Sequence, residues 1–305
     1  MGRLRVYNID MDIVLILLST YNGEKYLREQ IESLIAQEDI YIKILVRDDG
    51  SNDDTLLILQ EYKDKGVLDF YTGGNLKPAR SFMELIFKAP EADYYALCDQ
   101  DDVWDKHKVS VAVKKLKCQI KPALYYCAMN IVDQNLNKYG YYFREESKSK
   151  SLEYSCLFGD EIAGCTMVLN KKLMKAIRIY NPGFITMHDG WIHRICLCVN
   201  GEVIGDSNAY IQYRQHGRNT VGMNKRSLSQ QYEKWRRKEK KLSKLANEMR
   251  IGYGKCSKDL YEKLCVISQA DKMTNKFKIV SMGIKCNSSR KEIAKLILKL
   301  IRGSF

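Results

Sequence analysis

Six consecutive apolar residues, Ile13-Val14-Leu15-Ile16-Leu17-Leu18, run into the polar pair Ser19-Thr20. A strand with one wet face alternates apolar and polar residues, so a strand apolar at every position has to be covered on both sides. The following segments supply the cover in sequence order. Tyr26–Ala36 sets Leu27, Ile31, Leu34 and Ile35 on one helical stripe. Ile42–Val46 is a second β-rich run, and Asp53 or Asp54 is placed to cap a helix through Leu57–Tyr62. Strands at Val67–Tyr71 and Tyr94–Cys98 then alternate with helices at Ala79–Lys88 and Lys106–Lys117. Such alternation predicts a mostly parallel α/β sheet flanked by helices on both faces. Further strands are expected at Leu124–Met129, Gly164–Leu169 and Ala209–Arg214, with helices at Lys171–Ile179 and Asp189–Val199. Arg144–Glu153 reads as an exposed loop.

In open α/β sheets, ligands bind outside the carboxyl ends of the strands. Polar clusters fall at three such ends: Thr20-Tyr21-Asn22, Asp48-Asp49 and Asp99-Gln100-Asp101-Asp102. The last packs three carboxylates into four residues, which repel one another and shed water at a cost. A divalent cation such as Mg²⁺ or Mn²⁺ removes that cost and brings phosphate oxygens with it. Taken alone, the tetrad reads equally well as an acidic turn capping the next helix. Three polar clusters at three strand ends favour a site.

The composition, 45% hydrophobic and 29% charged, is that of a globular chain. No apolar run approaches the roughly 18 residues of a membrane span, and Met1–Asp12 lacks the apolar core of a signal peptide. A cytoplasmic protein is therefore expected. Ten cysteines stand at irregular spacings without a zinc-finger pattern, which suits reduced thiols. Charge divides the chain. Met223–Phe305 holds 22 Lys and Arg against 7 Asp and Glu, whereas Met1–Gly222 holds 28 against 30. A near-neutral body, 1–222, and a basic, mainly helical extension, 223–305, are thus expected.

Leu18-Ser19-Thr20-Tyr21-Asn22-Gly23-Glu24, Arg47-Asp48-Asp49-Gly50-Ser51-Asn52-Asp53-Asp54-Thr55 and Asp99-Gln100-Asp101-Asp102 resemble, in order and spacing, the motifs of glycosyltransferase family 2. With Val103-Trp104, His188-Asp189-Gly190-Trp191 and Tyr213-Arg214-Gln215-His216-Gly217, the chain is similar to the bacterial rhamnosyltransferase-like branch, which builds surface polysaccharides. The resemblance covers about the first 220 residues. It implies a GT-A, Rossmann-like fold and an inverting, metal-dependent transfer from a nucleotide sugar, dTDP- or UDP-linked, with Mn²⁺ or Mg²⁺ as cofactor.

By the same resemblance, Thr20, Tyr21, Asn22 and Glu24 line the nucleotide pocket. Asp49 accepts from the base imide, and Asp48 supports it or the ribose. Asp101 leads as metal ligand, with Asp99 at the metal or ribose and Asp102 assisting either. Asp189 is the expected general base; His188 departs from the Glu common at that place. His216 is a further metal ligand or diphosphate contact, and Arg214 and Arg218 are phosphate clamps. Each has a plainer alternative: polar turns for the first two clusters, a helix cap for Asp189 and an exposed turn for His216.

In the extension, Ile293, Leu296, Ile297 and Leu300 form an apolar stripe among Lys291, Lys295, Lys299 and Arg302. A basic amphipathic helix of this kind suits the anionic inner face of a cell membrane and a lipid-linked glycan acceptor. Docking on the catalytic domain is the alternative. A nucleic-acid-binding protein would account for the basic tail but not for the clustered acids, and no recognition motif for nucleic acid is present. An inactive transferase-like scaffold is opposed by the intact tetrad and Asp189.

Overall fold

Strand β1 (Ile13–Thr20) lies inside a nine-stranded sheet, with Val14 to Leu18 all buried. The computed structural model describes residues 12–145, 150–159, 162–215, 241–286 and 288–305. On one side β1 pairs in parallel with β2 (Tyr41–Asp48), which pairs in parallel with β3 (Asp69–Thr72). On the other side it pairs in parallel with β4 (Tyr94–Cys98). Helices α1 (Leu27–Ile35), α2 (Thr55–Asp64) and α3 (Lys77–Lys88) make the crossovers. The two faces of β1 are divided by the strand's period of two. Leu15 and Leu17 join the core containing α3, while Val14, Ile16 and Leu18 join the core containing α1 and α2.

Beyond β4 the order changes hand. A short β5 (Val103–Trp104) and helix α4 (Lys108–Lys117) lead into β6 (Ala123–Val132), which folds back as β7 (Lys138–Tyr142). After helix α5 (Leu152–Phe158), β8 (Met167–Asn170) inserts antiparallel between β4 and β6. Helices α6 (Lys171–Ile177) and α7 (His188–Cys198) precede β9 (Glu202–Arg214), which pairs in parallel with β6 and antiparallel with β5. The expected α/β sheet is present, and most of its paired residues are parallel.

Three local expectations change. Gly164–Thr166 is a single 3₁₀ turn feeding β8 rather than the start of a strand. β9 begins seven residues earlier than Ala209, because pairing with β6 recruits the polar run Glu202–Asn208. The segment read as a loop ends in α5, capped by the Ser151 side chain on the Tyr154 N–H and anchored by buried Tyr154, Cys156 and Leu157.

Four more helices follow: α8 (Lys241–Tyr253), α9 (Lys258–Ser268), α10 (Met273–Lys285) and α11 (Arg290–Arg302). The boundary expected at 222/223 lies outside the described residues. The helices after it share a core with the sheet: Leu245, Met249, Tyr253, Leu264, Ile279, Leu296 and Leu300 belong to the cluster that contains Leu15, Phe82 and Trp191. The Tyr253 hydroxyl reaches the carbonyls of Ala176 and Ile177 at 3.0 and 3.1 Å. So Leu296 and Leu300 of the expected stripe face inward, and the outward apolar residues of α11 are Ile297, Leu298 and Ile301.

Candidate active site

The first two strand ends are tied to each other. Thr20, buried, donates its hydroxyl to Asp48 Oδ1 (3.0 Å), and its carbonyl accepts from the Asp49 N–H (2.8 Å). Asp48 Oδ2 accepts from the Gly50 and Ser51 N–H groups (3.0 and 2.9 Å), and Gly50 supplies the positive φ of +83° that closes this turn. Asn22 donates its N–H to Ser51 Oγ and accepts from the Asn52 N–H, both at 2.9 Å. Glu24 Oε2 accepts from the Asp54 N–H (3.0 Å), whereas Asp53 Oδ1 accepts from the Thr55 N–H (3.0 Å). The Asp54 side chain makes no capping bond, so Asp53 serves the helix start instead.

Asp49 also points inward. It pairs with buried Arg47 and accepts from the Leu76 and Lys77 N–H groups (both 2.9 Å) at the start of α3. Arg47 in turn donates to the Gly74 carbonyl (3.0 Å) and Ser81 Oγ (3.2 Å). The structure therefore spends most of the acceptor capacity of Asp48 and Asp49 on framing the β2 end. Tyr21 stays 44% exposed.

The third strand end is where carboxylates converge. Gln100, to which the sequence assigns no role, joins this loop to the first. Its Oε1 accepts from the Tyr21 N–H (2.8 Å) and its Nε2 donates to the Tyr21 carbonyl (3.1 Å). The same side chain passes so close to Gly23 that a Cβ there would lie 2.4 Å from Oε1. Asp102 is fully buried; its Oδ1 accepts from the Arg214 N–H at the end of β9 (3.1 Å), and its Oδ2 has no hydrogen-bond partner. The donor atoms of Asp99, Asp102 and Cys165 lie within 4.8 Å of one another. Asp101 stands outside that closest set yet close enough to act on both neighbouring carboxyls.

Asp189 arrives from α7. It sits in the first turn, where the helix dipole favours a negative charge, and its Oδ1 accepts from the Gly190 N–H (2.6 Å). Its charge reaches Asp99. Burial first, then the Asp101 and Asp189 carboxylates, push Asp99 up to about 7. Burial first, then the Asp101 and Asp99 carboxylates, hold Asp102 well above the usual carboxylate range. Beneath them Lys108, completely buried, lies 3.3 Å from the centre of the Trp104 ring. Burial lowers its pKa. The unpartnered Oδ2 and the mutually repelling oxygen donors fit a hard divalent cation.

Arg214 takes a place different from the phosphate clamp expected of it. Only 2% exposed, its guanidinium donates to the Asp101 carbonyl (2.9 Å) and the Gln134 carbonyl (2.5 Å), pairs with Glu29, and lies over the Tyr26 ring. It braces the acidic loop from behind. His216 and Arg218 lie outside the described residues. Trp104 and Trp191 are buried core aromatics, Trp191 between Tyr180 and Tyr253. His188 is buried, stacked on Phe82 at 4.0 Å, and burial drops it to about 3, so it is neutral at physiological pH. Cys165, Lys108 and Tyr213, whose phenol is raised by burial first and then by the neighbouring acidic groups, have no role assigned from sequence, although Tyr213 belongs to a quoted motif. They come from three separate places in the chain, the turn before β8, the start of α4 and the end of β9.

The sequence matches the Glycosyl transferase family 2 profile over residues 15–175. The chain belongs to glycosyltransferase family 2. This family 2 chain is 29% identical over 265 residues to the dTDP-rhamnosyl transferase RfbG of Shigella flexneri, covering 76% of this chain and 84% of the relative. A shorter match, 30% over 100 residues, links 33% of it to 39% of the UDP-Glc:alpha-D-GlcNAc-diphosphoundecaprenol beta-1,3-glucosyltransferase WfaP of Escherichia coli. In fold it is similar to S. aureus TarS 1-349 in complex with UDP-GlcNAc (TM-score 0.59, 16% identity, 95% of this chain and 89% of that one). The architecture is thus GT-A, and the protein is a glycosyltransferase.

Proposed function

We propose that this glycosyltransferase moves a sugar, with inversion, from a dTDP- or UDP-linked donor to a lipid-linked glycan in bacterial surface polysaccharide synthesis. Rhamnose is the sugar favoured by the similarity to RfbG. The acceptor class is supported by the diphosphoundecaprenol in the name of WfaP. The observation that carries the reading is the convergence of Asp99 and Asp101, after β4, with Asp189, at the start of α7.

Asp99 and Asp101, each partly open to solvent, are the residues to hold Mn²⁺ or Mg²⁺, and buried Asp102 offers its unpartnered Oδ2 as a further oxygen donor behind them. A bound cation would neutralise charge on the departing diphosphate. Asp49 keeps a second lone pair on Oδ2 beyond its bond from Lys77, and that is the acceptor left for the imide N–H of uracil or thymine. Tyr21, Asn22 and the β1–α1 backbone shape the rest of the nucleotide side.

Asp189 takes the proton of the acceptor hydroxyl as that oxygen bonds the anomeric carbon. The bond to the diphosphate breaks on the opposite face, which inverts the configuration. Its negative charge also opposes the positive character of the glycosyl transition state. Neutral His188 adds no competing charge beside it.

We place the protein in the cytoplasm, peripheral to the inner membrane face. Among the described residues no helix is long and apolar enough to cross a membrane. The test is a panel of dTDP- and UDP-sugars with Mn²⁺ and a diphospholipid-linked acceptor, read as glycolipid product. Asp189→Asn should keep donor affinity within about twofold and lose transfer by roughly 10²–10⁴-fold. Full turnover by that variant would remove Asp189 as the base.

A further inference from the structure

Helices α10 and α11 carry an outward apolar band that the core does not use. On α10, Met273, Phe277 and Ile284 recur at spacings of four and seven, so they stand on one face, opposite buried Asn275, Ile279 and Gly283. Phe277 is 71% exposed. On α11, Leu296 and Leu300 point into the core, and Ile297, Leu298 and Ile301 point out, Ile301 at 70% exposure. Ile284 and Ile297 line one shallow groove between the two helices, with Ile293 and Ala294, so the two bands are continuous.

The border of the band is cationic. By helical position, Lys291, Lys295 and Arg302 lie on the side of α11 next to Leu298, away from the groove. From Lys272 to Arg302 the chain has nine Lys and Arg and one acid, Glu292. That acid is already engaged: its carboxylate accepts from the Ser289 N–H (2.8 Å) and from the Tyr154 hydroxyl. No other negative charge in this stretch offsets the basic rim. Apolar side chains in the middle with cations at the edge are what an interface between acyl chains and acidic headgroups demands. A nucleic acid would meet the cations but leave exposed Phe277 and Ile301 without partners. A second copy of this surface would bring like charges together.

We propose that α10 and α11 form a docking surface for an anionic lipid bilayer, which rests on the reading above that the acceptor is lipid-linked. The surface is coupled to the chemistry by packing. Both helices pack on α5, and α5 packs on α7, the helix that begins at Asp189. A sugar acceptor held at a membrane by its lipid would then meet Asp189 from a chain already oriented on that membrane.

The test is co-sedimentation of the full chain with phosphatidylcholine vesicles, with or without 30% phosphatidylglycerol. Binding is expected only to the anionic vesicles, and should weaken as salt rises. Phe277→Asp with Ile301→Asp should weaken it about tenfold, and Lys291→Glu with Lys295→Glu by a similar factor. Leu57→Asp, on an exposed face of α2, should change nothing. Unaltered vesicle binding by both double variants overturns the proposal. So does a dimer that Phe277→Asp abolishes, or retention on DNA stronger than on vesicles. Nucleotide-sugar binding measured without vesicles separates the two readings. Lost vesicle binding with intact donor binding fails the surface alone, and the reverse fails the enzymatic reading alone.

Discussion

Replacing Arg214 by Met separates a brace from a phosphate clamp. Its guanidinium is buried and donates to the carbonyls of Asp101 and Gln134. Hydrogen bonds from a charged donor contribute about 1.5–3 kcal/mol each. The partner Glu29 is 56% exposed and regains water when the arginine is lost, so the ion pair adds only about 0–1 kcal/mol. Met keeps much of the alkyl volume over Tyr26, and the bond from the Arg214 N–H to Asp102 is backbone and survives. Net destabilisation of about 3–6 kcal/mol follows, a fall of roughly 6–12 °C in Tm for a chain of this size. Because the Asp101 carbonyl loses its tether, Mn²⁺-dependent nucleotide affinity should fall about tenfold as well. Scanning fluorimetry and titration calorimetry read both, and Arg214→Lys should recover at most half of the Tm. An unchanged Tm with nucleotide binding lost even without metal would refute the brace and restore the clamp.

Two further outcomes follow from the same geometry. Asp99, raised to about 7, holds in the metal-free fold a proton that the unfolded chain gives up near pH 4. Native protein thus binds more protons across that window, and this group's contribution to stability falls as pH rises through it. A cation requires the ionised form, so the Tm gain on adding Mn²⁺ should be larger at pH 8 than at pH 5.5; an equal gain would contradict the cluster. Gly164→Ala would set a Cβ 2.5 Å from His188 Nε2, against a ring already stacked on Phe82. Destabilisation of about 1–3 kcal/mol is expected, with transfer reduced more than donor affinity because His188 adjoins Asp189. Wild-type Tm and rate would mean that the ring swings aside freely.

The parallel half of the sheet was legible because β1 and β4 are covered on both faces, which leaves uninterrupted apolar runs such as Tyr94–Cys98. Register at the strand ends then put Thr20 opposite Asp48, as two clusters at adjacent strand ends require. The antiparallel insertion of β8 was not legible, since Met167–Asn170 carries no mark of its neighbours. The paired strand Glu202–Asn208 was missed because its polarity hides it. Acidity of the tetrad could be read from sequence, but its division of labour could not. Burial of Asp102 is set by Arg214, over a hundred residues away, and the inward turn of Asp49 by Leu76 and Lys77. On α11 periodicity found an apolar stripe without saying which edge faces the core, and only packing against α5 and α10 decides it.

Anomalous diffraction from crystals grown with Mn²⁺ and a nucleoside diphosphate tests the shared acidic site most directly. A manganese peak bound by Asp99 or Asp101 oxygens, with the diphosphate on its open side and Asp189 facing the space beyond, is the expected result. A peak held by other residues, or a diphosphate bound away from the β4 end, would contradict it.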